Sequence, residues 1–143
     1  MSLRKALYAE LISDADVLAR VVHRIYFMVA SPTHGDEYIV LHVVSDDHVS
    51  SMAGGSGLTT QRVQVDCWAK TASHADEIEA LVHEAIGNFS GTLGTGANTV
   101  TVGNCYRNGA RDVYVPPNDK SAYGTYCRQA DYMITFNESI PVH

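Results

Sequence analysis

From Gln61 to Ala69 the chain alternates. Val63, Val65, Cys67 and Ala69 fall on one face, and Arg62, Gln64 and Asp66 on the other. That period of two is what a pleated strand with one buried face imposes. Trp68 stands on the polar face, so it either reaches a second layer, packs beneath the N-terminal helix, or meets a partner. At Thr71 the period changes. Ser73 is a suitable N-cap, and Asp76 and Glu77 place negative charge where a first helical turn favours it. Ala75, Ile78, Leu81, Val82, Ala85, Ile86 and Phe89 then recur at spacings of three and four, the apolar stripe of an amphipathic helix, which Gly87, Asn88 and Gly91 end. One strand face and one helix face must share a core.

The other segments are expected to arrange themselves around this pair. Ser2–Ile12 predicts a helix with Leu3, Ala6, Leu7 and Leu11 as its stripe, and Val17–Val22 adds one or two further turns. His23–Met28 predicts a short strand, and Pro32 and Gly35 mark a loop after it. Tyr38–Val44 is apolar on both faces apart from His42, as in a strand covered on both sides. Ser45–Leu58 has little to bury and predicts a long mobile loop. Ser90–Asn98 predicts a flexible glycine-rich link. Thr99–Tyr106 predicts a strand, Arg107–Arg111 a turn, and Asp112–Val115 a brief strand stopped by Pro116 and Pro117. Asn118–Gly124 predicts a turn, Tyr123–Asn137 the last long strand, and the tail ESIPVH a frayed end. Strands outnumber helices without alternating strictly with them. The fold class expected is α+β: a mostly antiparallel sheet of about four to five strands with two main helices packed on one face.

The chain has 143 residues, a length that fits one domain spanning 1–143. Formal net charge is −6 with no acidic or basic run, which argues against a nucleic-acid surface built from Lys and Arg. The cysteines, Cys67, Cys105 and Cys127, are odd in number and lie in predicted strands, which argues against a disulfide framework and for a reducing compartment. The N-terminus lacks the apolar core of a signal peptide, and no apolar stretch is long enough to span a membrane.

Catalytic patterns are hard to find. None of the seven histidines pairs with another His or Cys at zinc-finger spacing. His34 with Asp36 and Glu37 reads as a solvated loop before it reads as a metal site, and His42 as a satisfied core or interface histidine. Cys67 reads as a buried small hydrophobe before it reads as a nucleophile. The glycines of Met52–Gly57 are not followed by the helix N-terminus that a phosphate cradle needs. No catalytic residue, cofactor or metal is therefore expected. The enzyme reading that competes with this would use Cys67, His42 or His83.

Three segments carry a resemblance: MSLRKALYAELISDADVLARVVHRIYF at the start, the central glycine loop with TTQRVQVDCWAKTASHADEIEALVHEAI, and RDVYVPPNDKSAYGTYCRQADYMITF near the end. The most specific parts are VQVDCWA before the striped helix, Asp112-Val113-Tyr114, and Tyr126 with Arg128 entering the final strand. In order and spacing they resemble the tail-completion, or tail-terminator, proteins of long-tailed bacteriophages and gene transfer agents. The resemblance implies a structural protein of a virion or phage-like particle, assembled in the bacterial cytoplasm. It implies a ring, usually of six copies, at the head-proximal end of the tail tube. Such a ring stops tube growth, meets the neck or stopper protein and lets DNA pass through its lumen. On this reading the partners are further copies of the chain, the tube protein and the neck protein. The expected interface residues are Asp46, Asp47, His48, Met52, Trp68, Arg111 and Tyr114, with Asp46 and Asp47 facing the lumen, where negative charge would keep DNA from sticking. The alternative within the same particle is a neck or tube protein.

Overall fold

The structure is a computed structural model. It describes residues 3–30, 35–51, 54–95, 98–116 and 125–137, with backbone only for 47–51, 54–57, 95, 98 and 99. Its elements run α1 (Leu3–Ser13), α2 (Ala15–Val21), β1 (Ile25–Phe27), β2 (Tyr38–Ser51), β3 (Gly54–Ala69), α3 (Ala72–Ile86), β4 (Gly91–Thr95), β5 (Asn98–Val115) and β6 (Thr125–Asn137). The strands form one six-stranded sheet in the order β1-β2-β3-β6-β5-β4. Only β1 and β2 pair in parallel; every other pair is antiparallel. The α+β class is as expected, with one or two more strands than the pattern predicted and a third, short helix.

All three helices bury against the same face. One core joins Leu3, Leu7 and Leu11 of α1, Val17 and Val21 of α2, and Ile78, Val82 and Ile86 of α3 to Ile39, Leu41, Val63, Val65, Cys67, Tyr132, Ile134 and Phe136 of the sheet. Register puts those strand residues on one side: Val65 opposes Leu41 and Ala130, and Val63 opposes Val43 and Tyr132. The alternation read from Val63 to Ala69 therefore points its apolar half at the helices. The α3 N-cap is Thr71, whose side chain accepts from the backbone N–H of His74 at 3.1 Å. It is not Ser73, and the earlier start moves Asp76 and Glu77 out of the first turn. Both residues satisfy capping chemistry; the strand ends at Ala69, and the chain turns at the first hydroxyl it meets.

Three connections differ from expectation. Ser45–Leu58 is not a loop, because β2 and β3 continue through it as a hairpin with Asp46 opposite Gln61, Asp47 opposite Thr60 and His48 opposite Thr59. A ladder satisfies backbone groups whatever its side chains bury, so low apolarity did not prevent it. The glycine-rich link after α3 contains β4: Leu93 is buried, and Gly91 and Gly94 supply positive φ angles of 117° and 93°. The turn expected at Arg107–Arg111 is a register shift between Arg107 and Gly109, so the two short strands are one, β5. Asn108 and Gly109, turn formers in isolation, are absorbed by a bulge instead. The frayed tail and the turn at 118–124 lie outside the described residues.

Candidate functional site

The sheet's other face carries no helix among the described residues, and it is not apolar. At one end Tyr26, Tyr38 and Trp68 stand side by side. Tyr38 and Trp68 are cross-strand partners whose rings stack at 6.1 Å with planes 13° apart, and Tyr26 meets Tyr38 edge-on at 6.3 Å. Trp68 thus lies away from the N-terminal helix. Val40, on the same face between Tyr26 and Asp66 in the register, is buried, so the doubly apolar reading of Tyr38–Val44 fits one helix-covered side and one aromatic-covered side.

Beside this aromatic band runs a charged ladder across four strands. His42 Nε2 lies 3.2 Å from Asp66 Oδ2, and Gln64 donates to Asp66 Oδ1 at 2.9 Å. Arg111 donates to Gln64 Oε1 at 3.1 Å and to Asp131 Oδ2 at 3.4 Å, and Arg62 donates to the same Asp131 oxygen at 2.7 Å. Asp66 and Asp131 are each only 4% exposed. Burial pushes the Asp66 carboxyl above its ordinary range, against the pull of Gln64, His42 and Arg111 toward the ionised form. Two atoms of this ladder, Asp131 Oδ1 and Arg62 Nε, are buried and find no hydrogen-bond partner among the described residues. A buried polar network left partly unsatisfied is costly unless water or a partner completes it.

On the helix side a second buried cluster has a structural character. Arg107 Nη1 donates to both Glu79 oxygens at 2.9 and 2.8 Å, and the Tyr132 hydroxyl donates to Glu79 Oε1 at 3.1 Å. His83 Nδ1 lies 3.4 Å from the same hydroxyl. These bonds tie α3 to β5 and β6. Burial holds the Tyr132 phenol well above its ordinary range, and it does the same to the Cys67 thiol beneath it. Cys67 is fully buried, so the arrangement offers no accessible thiolate there. His42 is engaged by Asp66 and His83 by Tyr132, on opposite faces of the sheet. The structure therefore does not gather Cys67, His42 and His83 into one site. Among the described residues no group of three His, Cys, Asp or Glu side chains is placed to hold a metal. His34 lies outside them, while Asp36 pairs with Lys70 at 3.2 Å and Glu37 with Arg20 at 2.9 Å. The same ion pairs neutralise an open groove of about 420 Å³ lined by Arg24, Gly35, Asp36, Glu37, Lys70 and His74. No helix of the described residues is long and apolar enough to cross a membrane.

A family model described as Tail completion protein gp17 matches residues 5–122. The chain belongs to this family. It is a structural tail protein. Comparison with solved structures finds a chain of one described as the virion of a native gene transfer agent (GTA) particle. The two share 15% identity over 95% of each chain, with a TM-score of 0.72. At that identity the likeness is one of fold. No curated protein matches.

The residues that carry the family resemblance meet in space. In this tail completion protein Asp112 opposes Arg128, and Tyr114 opposes Tyr126, across β5 and β6. Arg128 donates to Asp112 at 3.0 Å and approaches Asp76 of α3 at 3.9 Å, while the two tyrosine rings lie 4.8 Å apart. Of the residues expected at an interface, Trp68 and Arg111 share the uncovered face, and Tyr114 is half-exposed on β5. Asp46 is exposed on the β2–β3 hairpin, level with Ile134 on the helix side of the register rather than with the ladder. Asp47 and His48 are described by backbone alone, opposite Thr60 and Thr59, and Met52 lies outside the described residues. Sequence reading missed Asp66, Asp131, Arg62 and Gln64. Their signal was present as the polar half of an alternating strand, which normally marks plain solvent exposure.

Proposed function

We propose that the protein is the tail terminator of a phage or gene transfer agent particle. Copies form a ring, six being the number the family resemblance implies, at the head-proximal end of the tail tube. The ring ends tube growth, receives the neck protein on its other side and lets DNA through its lumen. The observation that carries this reading is the family match over residues 5–122. The uncovered face supports it: aromatic rings beside a ladder of buried carboxylates and part-exposed arginines, with two buried atoms unpartnered among the described residues, suit a surface that is covered in the assembly. Asp46 and Asp47 would face the lumen, where repeated negative charge repels phosphate. The role is architectural, with no catalytic step. The assembly takes place in the bacterial cytoplasm, and the finished ring stays in the particle.

The test is electron microscopy of particles assembled with and without this chain. Overlong or ragged tails and tailless heads in its absence are the expected result. Normal tails of normal length would overturn the reading. A chain that polymerises alone into long tubes would make it a tube protein instead.

A further inference from the structure

The two flanks of the sheet are unequal and they match each other. β1 pairs with β2 only over Ile39–Leu41, and β4 pairs with β5 only as far as Val102. Among the described residues no strand pairs with the outer edge of β2 beyond Leu41 or with the outer edge of β5 beyond Val102. Long free edges are a liability in a soluble protein unless something covers them. Apolar exposure gathers at the same places. Met28, Val29 and Val44 lie on the first flank, and Tyr106, Tyr114 and Val115 on the second; only Val22 and Leu58 complete the exposed large hydrophobics of the described residues. Met28 belongs to the first flank because its N–H donates to Leu41 O at 3.0 Å.

The levels agree as well. Followed across the sheet, Ser45 stands level with Arg62, Met133 and Tyr106. Val44, the bulged residue next to Ser45, is 49% exposed, and Tyr106 at the far edge is 42% exposed. Charge is compatible too: Asp46 is exposed on the first flank, and Arg107 on the second, though paired with Glu79, keeps 35% of its side chain exposed on the same side of the sheet. Strand directions permit pairing. β2 and β5 run opposite ways, so a rotation about an axis along the strands brings β5 of one copy antiparallel to β2 of the next.

We propose that copies of this chain join head to tail by antiparallel pairing of the free edge of β5, over Asn104–Arg107, with the free edge of β2, over Val43–Asp47, in the next copy. The proposal rests on the ring reading above and names the contact that closes the ring. Register shifts bound the β5 stretch, between Val102 and Asn104 and between Arg107 and Gly109, and another interrupts β2 between Val43 and Ser45. Bulges of this kind keep an edge from pairing indiscriminately. The matched run is therefore short. A single contact is weak, and closure of the ring supplies the avidity.

The experiment crosslinks copies within assembled tails. Ser45→Cys and Tyr106→Cys are introduced together, with Val44→Cys and Tyr106→Cys as a second pair, and oxidised tails are run on non-reducing gels. The native thiols are buried and give no background. The expected result is a ladder of oligomers ending in one closed species for at least one pair, with none from any single cysteine. Hydrogen exchange on the unaltered protein is the second measurement. Amides of 43–47 and 104–107 are expected to gain about tenfold or more protection when the free chain enters the ring. A ring visible at the tube end without a ladder or gained protection overturns this contact and leaves the ring reading standing. A dimer from Tyr106→Cys alone, the mark of a two-fold contact, also overturns it. Tails of normal length without the protein overturn both.

Discussion

His42 Nε2 and Asp66 Oδ2 lie 3.2 Å apart on the face of the sheet opposite the three helices, and burial outweighs that contact. The folded carboxyl titrates above its ordinary range despite His42, Gln64 and Arg111 around it. The sign follows. A folded pKa above the unfolded one favours the folded state at low pH, and that contribution is lost as pH rises through the folded value. At neutral pH the ionised Asp66 is therefore a net cost. Asp66→Asn, which keeps shape and hydrogen bonding, is expected to raise Tm at pH 7. The gain should fade as pH falls through the ordinary aspartate range, where folded and unfolded chains both come to carry the proton. A lower Tm at pH 7 would mean that the partners outweigh burial. Retained strain of this kind belongs on surfaces with another use, so the stabilised variant is expected to seal tails less well.

Arg107 is the cation that neutralises the buried Glu79. Its removal by Arg107→Ala strands a carboxylate that is 5% exposed in the native fold and leaves it, among the described residues, with the Tyr132 hydroxyl. The expected loss is about 3 kcal/mol of unfolding free energy in urea melts, as for other buried pairs broken on one side. Arg107→Ala combined with Glu79→Gln should recover part of it, because no charge is then stranded. A loss equal to that of an ordinary surface arginine would show that water already solvates Glu79.

How far these features were legible depends on what each residue answers to. The Val63–Ala69 alternation and the Ala75–Ile86 stripe report burial directly, and both elements stand where they were read. The hairpin through Ser45–Leu58 was invisible because backbone pairing asks nothing of side-chain polarity. Leu93 was the sole apolar sign of β4 among glycines and threonines, too little to mark a strand. Asp112, Tyr114, Tyr126 and Arg128 were legible as members of two strands and were singled out by family resemblance, and register then made them two facing pairs. The ladder around Asp66 and Asp131 needed the strand order β2-β3-β6-β5, which no local pattern encodes.

Val22 offers a separate test of the local backbone. It follows α2 with φ 57° and ψ −117°, a combination that a β-branched residue rarely adopts, and it is 46% exposed. Strain of this kind costs about 1–3 kcal/mol, and glycine avoids it at the expense of a more flexible unfolded chain. Val22→Gly is therefore expected to raise stability by about 1 kcal/mol in denaturant melts, where the same change in a relaxed strand would lower it. A loss of stability would show that the valine side chain contributes more than its backbone strain costs.

The three thiols should be silent in the native protein. Cys67, Cys105 and Cys127 are all buried, and burial pushes the Cys105 thiol up to about 12. Native protein at pH 8 is expected to consume no thiol reagent on the timescale of minutes, and three equivalents once unfolded in guanidinium. Rapid reaction of a single cysteine before unfolding would reopen the reading of this chain as an enzyme.

Trp68 decides whether the uncovered face meets a partner. The ring stacks on Tyr38 at 6.1 Å, and Trp68 is only half-buried, so it serves the fold and still has surface to offer. Trp68→Ala removes both, at a cost of about 1–3 kcal/mol to the fold, less than for a fully buried tryptophan. Trp68→Phe keeps an aromatic stack and loses mainly outward reach. Tails assembled well below either variant's Tm separate the two roles. If the face docks against tube or neck, Trp68→Ala is folded yet gives overlong tails, and Trp68→Phe falls between it and the native protein. If Trp68 serves only to cover Val40 and its neighbours, both variants lose stability and both still give tails of normal length.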